Sequence, residues 1–382
     1  MPDVKRIALF LDGTWNNVAA NTNVWRLKSL CDCTPEQLVY YSAGVGTQSG
    51  EHLSGGMFGI GIDKEITDAY EWLIEHYRPG AQLFIFGFSR GAFTARSLAG
   101  FISKCGLLQA GSPVSITQMF ERYRKGTAIS ILKLANAHEG ELSEEDKLIK
   151  VYSQSMPIWF QGVWDTVGEL GIPLPLFPKV SQKDFTFLET DLRINDTHAY
   201  HALAIDEHRE AFAPTLWVKS TPKHGECPTP RDLDHVEQRW FVGAHANVGG
   251  GYADDLLAEV PFCWIMSKAT AHGLEFAHSA VIDGNVNACA IHDSYAEMAH
   301  GVYKALTLGK EFYRPIGVEP VDTGDAVKTT INETIDASVF ERWRSEAAYR
   351  PKNLLAWAGR RGVDPSTLKQ AVRANDATAI EP

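Results

Sequence analysis

Leu83-Phe84-Ile85-Phe86-Gly87-Phe88-Ser89-Arg90-Gly91-Ala92 is the stretch on which the reading of the whole chain turns. An apolar run short enough to be a buried strand leads into a serine flanked at two positions either side by glycine. A helical segment rich in small residues, Ala92 to Lys104, follows at once. In that setting the G-x-S-x-G pattern is a sharp strand-to-helix turn that holds the serine in a strained conformation with its oxygen exposed. The glycines let strand and helix pack without Cβ clashes, and the helix N-terminus offers N–H groups toward developing negative charge. In a chain with 32 glycines a bare five-residue match could arise by chance. The strand–turn–helix context makes Ser89 the candidate nucleophile.

Working outward, three more strand-like runs end in residues of chemical rather than structural character. Arg6 to Leu11 stops at Asp12-Gly13-Thr14-Trp15-Asn16, Ile158 to Trp164 at Asp165-Thr166-Val167-Gly168, and Gln238 to Gly243 at Ala244-His245. Leu38 to Ala43 reads as a fifth strand and Thr215 to Lys219 as a sixth. Lys64 to Tyr77, Ala92 to Lys104, Thr197 to Phe212 and Leu256 to His272 read as helices between them. Near-continuous apolar strands alternating with helices predict an α/β fold with a mostly parallel central sheet covered on both faces. In such sheets ligands bind beyond the carboxyl ends of the strands, where all four motifs lie.

A serine nucleophile needs a general base, and the base needs an orienting carboxylate. Asp165 and His245 follow Ser89 in the order Ser, Asp, His, each at the end of its own strand. Asp165, after an aromatic-rich strand, is costly to place there unless hydrogen-bonded, although a turn aspartate binding local N–H groups is a common alternative. His245 precedes the turn Gly249-Gly250-Gly251, and His292 in Ile291-His292-Asp293 is its rival as base. Asp206 and Asp12 are the rival acids, while His201 and His208 read as helix-face residues. The oxyanion of an acyl transfer requires N–H donors, expected from Arg90 and from Gly13, with Asp12 bracing the turn.

The chain has 382 residues, 45% hydrophobic and 22% charged, with a formal net charge of −11. That size suits one large α/β unit with insertions, expected as a catalytic core over 1–275 and a C-terminal helical extension over 276–382 packed on it. Residues 109–152, polar and helix-like, read as a helical insertion. The net charge opposes generic nucleic-acid binding, which needs clustered Lys and Arg. No leader is expected at the N-terminus, and no stretch approaches the ~18 apolar residues of a membrane span. Six dispersed cysteines read as buried free thiols. No cofactor is expected, and no metal, since the chain lacks ligands at metal-binding spacing.

Together, Phe10-Leu11-Asp12-Gly13-Thr14-Trp15-Asn16, Gly87-Phe88-Ser89-Arg90-Gly91-Ala92, Val163-Trp164-Asp165-Thr166-Val167-Gly168 and His245-Ala246-Asn247-Val248-Gly249-Gly250-Gly251-Tyr252 resemble an α/β-hydrolase family that includes the type VI secretion lipase effectors. His201 to Arg209 resembles the family pattern as well. Asn247 stands where the pattern would carry aspartate. The resemblance implies an α/β-hydrolase fold and a lipolytic Ser–Asp–His enzyme, phospholipase-like in the effector members. It further implies synthesis in the cytoplasm, export by a type VI system, and secretion-system or immunity partners. The readings to separate are a phospholipase A-like enzyme, a soluble small-ester or thioester hydrolase, a non-catalytic binding protein of the same fold, and a metal-dependent phosphoesterase using Asp12, Asp165 and Asp206. Gly171-Ile172-Pro173-Leu174-Pro175-Leu176-Phe177-Pro178, apolar and proline-broken soon after Asp165, is expected to bring Leu174, Leu176 and Phe177 to the substrate or to a membrane surface. Gly55 to Gly61 is a candidate second apolar wall.

Overall fold

The computed structural model describes residues 4–13, 20–44, 55–126, 129–167, 192, 196–223, 231–253, 256–297 and 309–380. In chain order the strands are β1 (Arg6–Leu11), β2 (Gln37–Ser42), β3 (Gln82–Phe88), β4 (Leu107–Leu108), β5 (Ser153–Gln154), β6 (Ile158–Trp164), β7 (Asp196–Ala204), β8 (Val218–Pro222), β9 (Val236–Phe241), β10 (Val321–Asp322), β11 (Ala326–Thr330), β12 (Glu333–Ile335) and β13 (Val372–Arg373). Eight of them form the central sheet, in the order β13-β12-β9-β7-β6-β3-β1-β2. Every pairing in it is parallel except β12 with β13. β8, β11 and β10 form a separate antiparallel sheet, so the expected sixth strand lies outside the central one.

The apolar strands form a central sheet because both faces are buried. Ile7, Leu9, Leu83 and Ile85 face one core with helices α2 (Gly55–His76) and α3 (Arg90–Cys105). Ala8, Phe10, Phe84 and Phe86 face the other, with α1 (Asn23–Leu30) and α8 (Glu259–Ala271). Phe10 stacks on Phe86 at 4.9 Å between centroids. Since neighbouring side chains point to opposite faces, two buried faces leave no polar residue to alternate with.

Thr197 to Phe212, expected as a helix, is largely β7, flanked by β6 and β9 in the middle of the sheet. Its alanines favour a helix in isolation, but burial between two parallel neighbours outweighs a propensity of a few tenths of a kcal/mol per residue. The expected insertion carries three helices, α4 (Ile116–Arg124), α5 (Ile131–Asn136) and α6 (Glu144–Tyr152), and is pinched at its base by the β4–β5 ladder. It leaves from the C-terminus of α3, the end remote from Ser89. The stretch after 275, expected as a helical extension, is more than helical. It adds β12 and β13 to the sheet edge, along with the helices Ala337–Ser345 and Lys352–Arg361. A three-residue strand is too short to announce itself by periodicity. The expectation of buried thiols holds for Cys31 and Cys105, whereas Cys33 is exposed and Cys263 and Cys289 are half-buried. Cys227 and residues 171–178 lie outside the described residues.

Candidate active site

The sheet register brings the four motifs to one edge. Leu11 pairs with Gly87, Phe88 with Trp164, Trp164 with Ala202 and Ala204 with Phe241, so β1, β3, β6, β7 and β9 end side by side. β1 and β3 are also where the chain reverses its direction of winding, with β2 on one side and β6 onward on the other. That is the crevice where open α/β sheets bind ligands.

Ser89 occupies the sharp turn between β3 and α3 at φ +58° and ψ −122°. A non-glycine residue held there costs of order 1–3 kcal/mol, so the surrounding packing must impose it. That packing depends on two absent side chains. A Cβ on Gly87 would stand 2.5 Å from the Gly91 carbonyl oxygen, and one on Gly91 would stand 2.2 Å from the Leu11 carbonyl oxygen. Both obstacles are backbone, so the turn can form only with glycine at both positions.

His245 begins the short helix α7 (His245–Gly249), three residues after Val242, and its ring lies between Phe88 at 4.6 Å and Phe212 at 5.0 Å. Its Nε2 is 2.8 Å from Ser89 Oγ and its Nδ1 is 2.6 Å from Asp165 Oδ2. The three residues chosen from sequence thus form one hydrogen-bonded line. Burial pushes the imidazole below its ordinary pKa and the Asp165 carboxylate only partly offsets this, so His245 is neutral at neutral pH. Burial would by itself raise the Asp165 carboxyl, but the charge of Arg314 and the bond to His245 hold it well below the usual carboxylate range.

The rival residues sit elsewhere. His292 stacks on Tyr252 at 3.7 Å between centroids, and its backbone N–H donates to Asn247 Oδ1 at 3.2 Å. Asp206 accepts from the Gly243 N–H at 2.7 Å and the Tyr349 hydroxyl at 3.2 Å. Asp12 accepts from the Gly13 N–H at 2.8 Å, the Thr22 hydroxyl at 2.6 Å and the Tyr41 hydroxyl at 3.2 Å. Asp12 thus braces the β1 turn, with the Gly13 N–H donating to its carboxylate. Arg90 opens α3, where backbone N–H groups point out of the helix end. Among the described residues no group of three or more His, Cys, Asp or Glu side chains could hold a metal ion.

Sequence reasoning missed three buried residues around Asp165 and His245. His201, in β7, accepts the Thr166 N–H on Nε2 at 3.0 Å, with its Nδ1 3.4 Å from Gln238 Oε1. Burial drives its pKa down to about 3, so it serves as a neutral clamp beside Asp165. Glu207 accepts the His245 N–H at 3.2 Å and the Ser294 hydroxyl at 2.8 Å, and pairs with Arg209 at 2.7 Å. Arg314 pairs with Asp165 itself. Asn247 explains its departure from aspartate. It is fully buried, and its Oδ1 accepts the Ala244 and His292 N–H groups at 3.0 and 3.2 Å. An amide does that work without another buried charge.

A family model described as the T6SS phospholipase effector Tle1-like catalytic domain matches residues 5–268. An uncharacterized protein of Saccharomyces cerevisiae is 30% identical over 231 residues, covering 54% of this chain and 32% of that protein. Among solved structures, an uncharacterized protein from Pseudomonas aeruginosa is 17% identical with a TM-score of 0.42, over 72% of this chain and 46% of that one. The Tle1 effector, solved bound to the VgrG spike of the type 6 secretion system, is 16% identical with a TM-score of 0.36, over 65% and 51%. The chain therefore spans about a third of that curated relative and about half of those two solved chains. With the matched span carrying all four motifs, this α/β-hydrolase chain belongs to the Tle1-like catalytic-domain family of type VI secretion phospholipase effectors.

Proposed function

We propose that the chain is a serine hydrolase of carboxylic esters that acts on phospholipid, with Ser89 as nucleophile, His245 as general base and then acid, and Asp165 as its orienting partner. The observation that carries the reading is the unbroken line Ser89 Oγ–His245–Asp165, at 2.8 and 2.6 Å, on a strained strand-to-helix turn. In this scheme Ser89 Oγ attacks the ester carbonyl as His245 Nε2 takes its proton. The tetrahedral oxyanion is held by the Arg90 N–H and the end of α3. His245 then protonates the leaving alcohol, and water, deprotonated by the same imidazole, releases the acid and restores Ser89. Every group in it belongs to the chain, so no cofactor or metal takes part. The family supports a phospholipid substrate, and transport by type VI secretion machinery is proposed on the same ground.

The test is covalent labelling with a fluorophosphonate probe and mapping of the modified residue. The expected result is a single adduct on Ser89, with vesicle and short-ester hydrolysis both lost on labelling and both unchanged by exhaustive chelation. Activity lost on chelation and restored by one divalent ion would transfer the chemistry to a metal. Intact binding with no adduct and no turnover would make the chain a binding protein.

Substrate access gives a separate expectation. The Val167 N–H lies 3.5 Å from the Ser89 carbonyl oxygen, so the chain enters its apolar stretch at 171–178 within a few residues of the nucleophile. Leu174, Leu176 and Phe177 are proposed to meet acyl chain or membrane. Their joint replacement by serine should depress hydrolysis of phospholipid vesicles at least tenfold more than hydrolysis of a short soluble ester. Burying such side chains in lipid is worth about 1.5–3 kcal/mol each. Equal losses on both substrates with a lower Tm would show instead that the three residues belong to the core.

A further inference from the structure

We propose that Arg314, beyond the residues that match the family, is the positioning residue for the acid of the site. Its guanidinium fixes the plane of the Asp165 carboxylate and sets how readily the His245–Asp165 pair takes up a proton. The proposal rests on the Ser89–His245–Asp165 reading above.

Arg314 reaches Asp165 across 149 residues of sequence. Nη1 donates to Oδ1 at 2.7 Å and Nη2 to Oδ2 at 3.0 Å, and both side chains are fully buried. The same two nitrogens are anchored on the carbonyl oxygens of Ala204, at 2.8 Å, and Phe212, at 2.5 Å. The fork is therefore tied to two chain segments before it meets the carboxylate. Two parallel bonds from a planar donor define the orientation of a carboxylate in a way that one bond to an imidazole cannot. The Ala204 N–H completes the grip on Oδ1 at 3.0 Å, which leaves Oδ2 directed at His245 Nδ1.

The arrangement also has an electrostatic consequence. With Arg314 charged and Asp165 ionised, the pair beside neutral His245 carries no net charge in a buried pocket. Uptake of a proton by His245 then makes the trio positive, which the Asp165 charge alone would not do. Other groups face the same pocket. Glu207 lies under the His245 N–H and is held ionised by Arg209, while His201 lies beside Asp165, with Arg96 of α3 beyond it. Glu207 titrates at about 2 and His201 at about 3, so at neutral pH the first is ionised and the second neutral. Removing the Arg314 charge must raise the proton affinity of the His245–Asp165 pair, whichever of the two holds the proton. The acid limb of activity then moves to higher pH.

The experiment compares wild type with Arg314→Met and Arg314→Lys in the full chain. It reads kcat and KM for a short soluble ester against pH, the rate of fluorophosphonate labelling at Ser89, and the melting curve. Arg314→Met should lower kcat about a hundredfold, the scale of a general-base contribution. KM should change much less, and the acid-limb midpoint should rise by about one unit. Arg314→Lys keeps the charge but lacks the fork. It should hold the midpoint near wild type while kcat still falls about tenfold from misplacement. A folded Arg314→Met with wild-type kcat and midpoint overturns the proposal. If that variant does not fold, Arg314→Lys decides, because wild-type kcat in a folded lysine variant overturns the positioning role. A wild-type protein that is not labelled at Ser89 sinks the underlying reading instead, and the two failures are told apart by that control.

Discussion

Ser89→Ala should leave the protein folded and remove ester hydrolysis by roughly a millionfold in kcat, the scale reached when the nucleophile of a serine hydrolase is deleted. The side chain is small and makes its hydrogen bond to a histidine that Asp165, Phe88 and Phe212 hold independently, so the pocket should survive its loss. A residual rate above that of water would come from binding and the oxyanion donors, and is therefore uninformative by itself. Fluorophosphonate incorporation is the sharper measurement and should vanish. Ser89→Gly makes a second, independent check on the turn. Alanine keeps the cost of a side chain at φ +58°, about 1–3 kcal/mol, whereas glycine removes it for a backbone-entropy cost of about 0.5–1 kcal/mol. The glycine variant should be as inactive as the alanine variant and melt at the same or a higher temperature. A clearly less stable glycine variant would mean that the turn is not strained in solution, and full labelling of Ser89→Ala would move the nucleophile elsewhere.

The site was legible in the sequence to the extent that it is local. Ser89, Asp165 and His245 each follow a strand whose apolar run is visible, and a parallel sheet necessarily brings the ends of neighbouring strands together. Registry did the rest, since Phe88 pairs with Trp164 and Trp164 with Ala202. β7 was harder to see for a physical reason. His198-Ala199-Tyr200-His201-Ala202-Leu203-Ala204 has neither the β-branched residues of a strand nor a period of two, because neighbours bury it on both faces. Reading it as a helix put His201 on a helix face, when it is fully buried next to Asp165.

What lay out of reach was the contribution of distant chain. Tyr313-Arg314-Pro315 carries no motif, and nothing near it in sequence discloses that its cation closes on a carboxylate 149 residues earlier. β12, only three residues long, adds to the sheet at the β9 edge by tertiary pairing rather than by pattern. Both cases belong to the stretch after 275, and together they show that this stretch and the matched span fold around one sheet and share one buried ion pair. Gly13 shows the converse limit. Sequence placed it at the end of β1 beside Asp12, but the bond its N–H makes to the Asp12 carboxylate leaves no mark in the sequence.

His245→Ala and Asp165→Asn should each lower kcat by at least a hundredfold, with the double variant little worse than the worse single, because the base and its partner act as a unit. The two singles differ in cause. His245→Ala removes the proton acceptor. Asp165→Asn leaves the shape but presents an amide where His245 Nδ1 needs an acceptor, so the imidazole turns its proton toward Ser89 and no lone pair faces the hydroxyl. That variant also leaves Arg314 as a fully buried charge without its carboxylate, so its Tm should fall more than that of His245→Ala; breaking a buried ion pair costs about 3–5 kcal/mol. The pH dependence follows from the same geometry. The His245 pKa lies below its ordinary value, so wild-type activity should be present at neutral pH and be lost as pH falls through a midpoint below about 6.5. For stability the relevant group is Asp165, whose folded pKa is depressed. Its ion pair contributes fully above the unfolded value of about 3.9 and fades as pH falls beneath it, so the Tm gap between wild type and Asp165→Asn should narrow only in acid below that point. A double variant a further hundredfold below the worse single would show that the two residues act separately, and an active His245→Ala beside an inactive His292→Ala would move the base to the loop that Asn247 ties down.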